Sequence, residues 1–175
     1  QGFSVGSHGF AGFSPESQGI NSRQSIAAYV DVEAYVTEDL LLGGALRYED
    51  FSSFGNTTNY KLTAQWAVTD SLSLRASHST GFRAPTLHQR YLINSQYIIV
   101  AGSPDPVLQG TLANDNPAVK ELGVPSLAAE TSTNLTAGLT YRISDHLSAS
   151  VDYYQINVDD RVLFSSQITA LEEGD

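Results

Sequence analysis

The chain has 175 residues, a net charge of −10, and neither cysteine nor methionine. That length suits one domain; the missing thiols remove disulfides, thiolate metal sites and cysteine nucleophiles; and the acidic balance excludes the basic stripe that nucleic acid requires. No apolar run approaches the length of a membrane-spanning helix, and no cationic start followed by an apolar core marks a signal peptide. A first residue Gln1 in a chain without methionine reads as a segment of a longer protein.

Residues 1–22 are dense in Gly and Ser, with Phe10 and Phe13 each preceded by glycine or closely following one, and read as a loop. Strands are then expected over 23–36, 40–50, 59–68 and 72–81, because apolar and polar residues alternate with a period of two. Val36-Thr37-Glu38-Asp39-Leu40, Val68-Thr69-Asp70-Ser71-Leu72 and Ile143-Ser144-Asp145-His146-Leu147 are three copies of one polar turn, closed by Asp, Ser or Thr side chains on backbone amides. The connections at the opposite ends, 51–58 and 82–131, are expected to be long and irregular. Two more strands follow over 132–142 and 147–160, and the parity of the second slips at Ile156 and Val158, which a bulge near Tyr154-Gln155 would explain.

One face of these strands carries Asp31, Glu33, Arg47, Lys61, Arg75 and Asp152. The other is Leu, Val and Ala, with Tyr48, Tyr60, Trp66 and Tyr141 near strand ends. Strands of about ten residues, a water-compatible face, and aromatics at the margins of the apolar one are the pattern of an outer-membrane barrel. The fold class is therefore all-β, an antiparallel up-and-down meander of about six strands from a larger transmembrane β-barrel. A soluble sandwich produces the same alternation and stays open as an alternative, as does a passive porin or adhesin barrel.

Residues 79–91 read Ser-Thr-Gly-Phe-Arg-Ala-Pro-Thr-Leu-His-Gln-Arg-Tyr, which resembles the Phe-Arg-Ala-Pro box of TonB-dependent outer-membrane receptors. Residues 45–55 (Ala-Leu-Arg-Tyr-Glu-Asp-Phe-Ser-Ser-Phe-Gly), 127–134 (Leu-Ala-Ala-Glu-Thr-Ser-Thr-Asn) and 151–162 are similar to further segments of that family, in the same order. The resemblance implies that 1–175 is part of such a barrel: a loop over 1–22, hairpin strands over 23–81, a long extracellular loop over 82–131, and hairpin strands over 132–162. It also implies an energy-coupled importer of a ferric siderophore or similar scarce nutrient in the outer membrane of a Gram-negative bacterium. Its partners would be membrane lipid, the small-molecule nutrient or iron chelate, and TonB through an N-terminal plug region that this chain lacks; nucleic acid is not among them. Haem-importing members pair the box with Asn-Pro-Asn-Leu and an intervening histidine. Here the second box is Val124-Pro125-Ser126-Leu127 and the nearby histidine, His88, directly follows the first, which weighs against haem.

Within the long loop, His88, Arg90, Tyr91 and Tyr97 are the expected ligand-binding residues, being polar or aromatic groups set furthest from the strands. Arg83 and Pro85 are expected to be a structural clamp, Arg83 bonding loop carbonyls and Pro85 barring Ala84 from helical geometry. No metal site or cofactor is expected: His8, His78, His88 and His146 lie on separate elements without ligand spacing. Enzymatic function is not expected either, since the chain holds no nucleophile elbow and no phosphate-binding Gly-Lys loop.

Overall fold

The computed structural model describes residues 19–99 and 105–165. His8, Phe10, Phe13 and most of the expected N-terminal loop lie outside the described residues. Six strands form one antiparallel sheet: β1 Ser25–Tyr35, β2 Leu40–Phe51, β3 Gly55–Thr69, β4 Leu72–Arg83, β7 Glu130–Ser144 and β8 Leu147–Asp159. They lie side by side in chain order, β4 pairing directly with β7. The long connection between those two holds α1 Leu87–Tyr91, a separate hairpin of β5 Asn94–Ile98 and β6 Val107–Thr111, and α2 Pro117–Glu121.

Hydroxyls close the three short turns. Thr37 Oγ1 accepts from the Leu40 amide at 3.1 Å, Thr69 Oγ1 from Leu72 at 3.0 Å, and Ser144 Oγ from His146 at 3.4 Å. The register then puts Asp31, Glu33, Arg47, Lys61, Arg75 and Asp152 on one face, and Leu46, Leu62, Trp66, Leu74, Leu139 and Val151 on the other. On the polar face Arg75 reaches across β7 to Asp152, with Nη2 at 2.6 and 2.7 Å from the two carboxylate oxygens, while Nη1 donates to Thr140 Oγ1 at 2.8 Å. Gly138 lies beneath this bridge, and a Cβ there would collide with Asp152 Oδ1.

Three expectations change. The β2–β3 connection is three residues, 52–54, because Gly55 takes φ +99° and Phe51 stacks on Phe54 at 4.6 Å, so the strands extend to meet at Phe51 and Gly55. Among the described residues the 82–131 connection carries two short helices and a hairpin rather than irregular chain alone. The bulge expected at Tyr154-Gln155 is absent: β8 pairs without a break from Asp159 to Ser148, and the irregularities sit beside the turns, at 67/69 and 142/144. Ile156 and Val158 fall on the polar-face parity, opposite Asn134 and Ser132, while Gln155 and Asn157 take the apolar-face parity. The pattern inverts because the surroundings of the two faces change along the strand, not because the backbone slips.

That change follows a diagonal. Unbroken runs of apolar residues on the apolar face extend up to Ile26 on β1, Tyr48 on β2, Tyr60 on β3, Ala76 on β4, Leu135 on β7 and Tyr153 on β8, with Phe82 standing apart beyond His78 and Thr80. From Ile26 on β1 to Tyr153 on β8 the limit falls, with one step back between β4 and β7, by an average of roughly one and a half residues per strand in register, which at ~3.3 Å per residue and ~4.8 Å between strands is a mean slope of about 45°.

The sheet is one layer thick. Val151 is 65% exposed, Leu62 55% and Trp66 49%, and nothing among the described residues covers their face. Fully burying a side chain of this size yields about 1.5–3 kcal/mol, so the uncovered face forgoes an amount comparable with the whole stability of a domain, about 5–15 kcal/mol. A soluble sandwich would not leave it bare.

Candidate functional site

The long connection leaves β4 through Phe82, Arg83, Ala84 and Pro85 and is pinned at its base from two sides. Arg83 and Glu130 face each other in the last pair of the β4–β7 ladder. The guanidinium donates through Nε to Oε2 at 2.7 Å and through Nη2 to Oε1 at 2.5 Å, a bidentate charge-assisted pair. Glu130 Oε1 also accepts from the Val162 amide at 2.8 Å, bringing in the chain beyond β8. Glu130 is buried, at 8% exposure. The pair lies well beyond the apolar band, and the Arg83 hydrogen bonds, with the Val162 amide, hold the Glu130 carboxyl down to about 2.

On the second side, Arg23 Nη1 donates to the Pro85 carbonyl at 2.7 Å. Its guanidinium sits 5.5 Å from the Phe51 ring centre and 6.0 Å from that of Phe54, and Phe82 meets Phe51 edge-on at 5.6 Å. The expected partners of Arg83 were loop carbonyls. Its partner is the Glu130 carboxylate, and Arg23 holds the carbonyl of the buried Pro85 instead. A carboxylate offers two acceptors in one plane, matching the guanidinium fork better than a single carbonyl does.

Beyond the anchor, Thr86 starts α1 with a capping box, its Oγ1 accepting from the Gln89 amide at 3.1 Å while Gln89 Oε1 accepts from the Thr86 amide at 2.9 Å. Asp115 then gathers the loop: Arg90 Nη2 lies 3.1 Å from Oδ2, Ser126 Oγ donates to Oδ1 at 3.1 Å, and Lys120 Nζ stands 3.9 Å away. Asn114 donates to the Pro125 carbonyl at 2.9 Å, and Asn116 caps α2.

The four expected ligand-facing residues are therefore divided. Arg90 is committed to Asp115, its side chain 19% exposed, with the Tyr91 ring 5.8 Å from its guanidinium. His88 and Tyr91 are exposed on α1, and Tyr97 is 74% exposed on the separate β5–β6 hairpin. Glu130, Arg23 and Asp115 were not singled out in the sequence. Glu130 carried a signal, since it lies in the 127–134 segment that resembles the family, at the start of the strand that pairs with β4.

The family model described as "TonB dependent receptor-like, beta-barrel" matches residues 3–172. The chain is 24% identical over 157 residues to a vitamin B12 transporter of Photobacterium profundum, covering 89% of this chain and 21% of that protein. It is 26% identical over 137 residues to the heme/hemopexin utilization protein C of Haemophilus influenzae, covering 70% of this chain and 17% of that protein. Its fold is similar to the crystal structure of the siderophore receptor PirA from Acinetobacter baumannii, with a TM-score of 0.65 at 19% identity over 84% of this chain and 20% of that one. The chain thus spans about a fifth of the relatives it matches.

Proposed function

We propose a function from one premise: this chain belongs to the TonB-dependent receptor family, as part of its β-barrel. It supplies six consecutive strands to an outer-membrane importer of a Gram-negative bacterium, and its long loop forms part of the extracellular ligand surface. The observation that carries this reading is the bare apolar face bounded along a 45° diagonal. A flat membrane boundary crosses tilted strands at a different residue on each, and barrel strands tilt by about 35–45°. The diagonal is that boundary, the apolar face meets lipid, and the face of Arg47, Lys61, Arg75 and Asp152 lines the interior.

The cargo is a ferric siderophore or a similarly scarce nutrient. The residues offered to it are His88, Tyr91 and Tyr97, while Arg90 acts by holding α1 to Asp115. Transport would be energised through TonB and a plug supplied elsewhere in the parent protein, without enzymatic chemistry. The test is a titration of the purified parent receptor with a ferric catecholate, a ferric hydroxamate, haem and cobalamin, with and without Tyr91→Ala and Tyr97→Ala together. About a tenfold loss of affinity for one iron chelate, in a correctly assembled barrel, is the expected result. Binding of cobalamin or haem alone would reassign the cargo, and no effect of the double variant would move the ligand surface off this loop.

A further inference from the structure

We infer that Asp115 withholds Arg90 from the ligand and so sets the receptor's preference between anionic and neutral iron chelates; this rests on the reading of the long loop as ligand surface. The two arginines at 83 and 90 are paired in different ways. Arg83 closes its fork on Glu130 through both Nε and Nη2. Arg90 reaches Asp115 through Nη2 at 3.1 Å, and its Nε is buried with no hydrogen-bond partner among the described residues. The second oxygen of Asp115, Oδ1, is turned to other groups: it accepts from Ser126 Oγ at 3.1 Å and stands 3.9 Å from Lys120 Nζ. A buried donor left unpaired makes the Arg90 pair an incomplete one, poised to open.

The surroundings let this pair open without unfolding the loop. On one side, α1 is held by its own capping box, and the chain entering it by Arg23 on the Pro85 carbonyl. On the other, Asn114 donates to the Pro125 carbonyl and Asn116 Oδ1 accepts from the Ala118 amide, so the neighbours of Asp115 hold it in place independently of Arg90. The Lys120 side chain is 54% exposed. Its flexible stem lets the ammonium close on Asp115 when the guanidinium leaves, and the carboxylate keeps a counter-charge in both arrangements. The freed fork then offers Nε and Nη2 together to an anion with two oxygens in one plane, as a catecholate or carboxylate has. Arg90 shares α1 with the exposed His88 and Tyr91, so the released cation joins the surface they form. A neutral chelate gains nothing from the release. An anion binds in proportion to the fraction of loops in which the pair is open, and removing the Asp115 charge raises that fraction.

The test titrates the purified full-length parent receptor with a ferric tris-catecholate, an anion, and a ferric tris-hydroxamate, which is neutral. Asp115→Asn keeps the shape of the side chain and removes its charge. It should shift the affinity ratio toward the catecholate by about fivefold or more, and Arg90→Gln added to it should abolish that shift. An equal loss for both chelates makes Asp115 a structural contact alone and overturns the inference, as does an unchanged ratio or a shift that survives Arg90→Gln. Should Asp115→Asn not assemble, Lys120→Gln is read in its place. By removing the replacement cation it should weaken the catecholate about threefold and leave the hydroxamate unchanged; no change, or an equal loss for both, overturns the inference. A wild-type receptor that binds neither chelate defeats the cargo reading and this inference together. One that binds either chelate, with no shift toward the catecholate in Asp115→Asn, defeats this inference alone.

Discussion

At the scale of single residues, Arg83 and Glu130 tie the base of the loop to the end of the β4–β7 ladder. Arg83→Ala removes the bidentate pair at the base of the loop and Glu130→Gln weakens it, so each should raise protease sensitivity within 84–129. The double variant should be little worse than the worse single one, because both remove the same contact. The sign of the pH effect follows from the lowered Glu130 carboxyl. A carboxylate held down to about 2 in the folded state contributes stability above its unfolded value, near 4.5, and loses it as pH falls toward 2. Protease sensitivity of the wild-type loop should therefore be flat from pH 8 to 5 and rise below 4.5, a rise that Glu130→Gln removes. Gly138 gives a second prediction. Overpacking costs about 1–3 kcal/mol, and Gly138→Ala should cost that in the intact barrel but less beside Asp152→Ala, which removes the nearer of the two side chains a Cβ would strike, Asp152 and Arg75. Thermal melts of the four barrels check it.

At the scale of strands and turns, the alternation of β7 carries the sharpest test. Leu139 and Thr140 are neighbours on opposite faces. Arginine at a lipid-facing midplane site costs about 2–4 kcal/mol, so Leu139→Arg should lower barrel stability by that amount and Thr140→Arg by far less. Equal losses in denaturant titrations would refute the face assignment. The β2–β3 turn depends on Gly55 at φ +99°. Residues with a side chain pay about 1–2 kcal/mol in left-handed geometry, and Gly55→Val should destabilise by at least this, with the loss appearing in the same titration. The β8 strand explains why a parity slip was misleading at this scale. A change of environment and a bulge produce the same written pattern, and they are told apart by what lies opposite: Asn134 beside Ile156 and Ser132 beside Val158 keep the register continuous.

At the scale of the whole chain, six strands leave two open edges, β1 and β8, and a bare apolar face. Unpaired edges of this length pair with other chains. The chain by itself should therefore aggregate in buffer and gain ordered strand signal in detergent, as followed by circular dichroism and light scattering; a monodisperse, cooperatively melting form in buffer would contradict the single-layer reading. The sequence by itself determined the strands, their hairpin pairing at the three short turns, and which residues share a face, because period-two alternation and hydroxyl-bearing turns are local properties of the chain. It also placed the Phe-Arg-Ala-Pro segment at the base of the loop. Only the tertiary structure decided that Arg83 meets Glu130 across 47 residues, that Arg90 is spent on Asp115, that 52–54 is a tight turn, and that the apolar face changes character along a diagonal. Those outcomes depend on which distant residues the register brings opposite one another, and a carboxylate's partner, unlike a strand's period, is not written beside it.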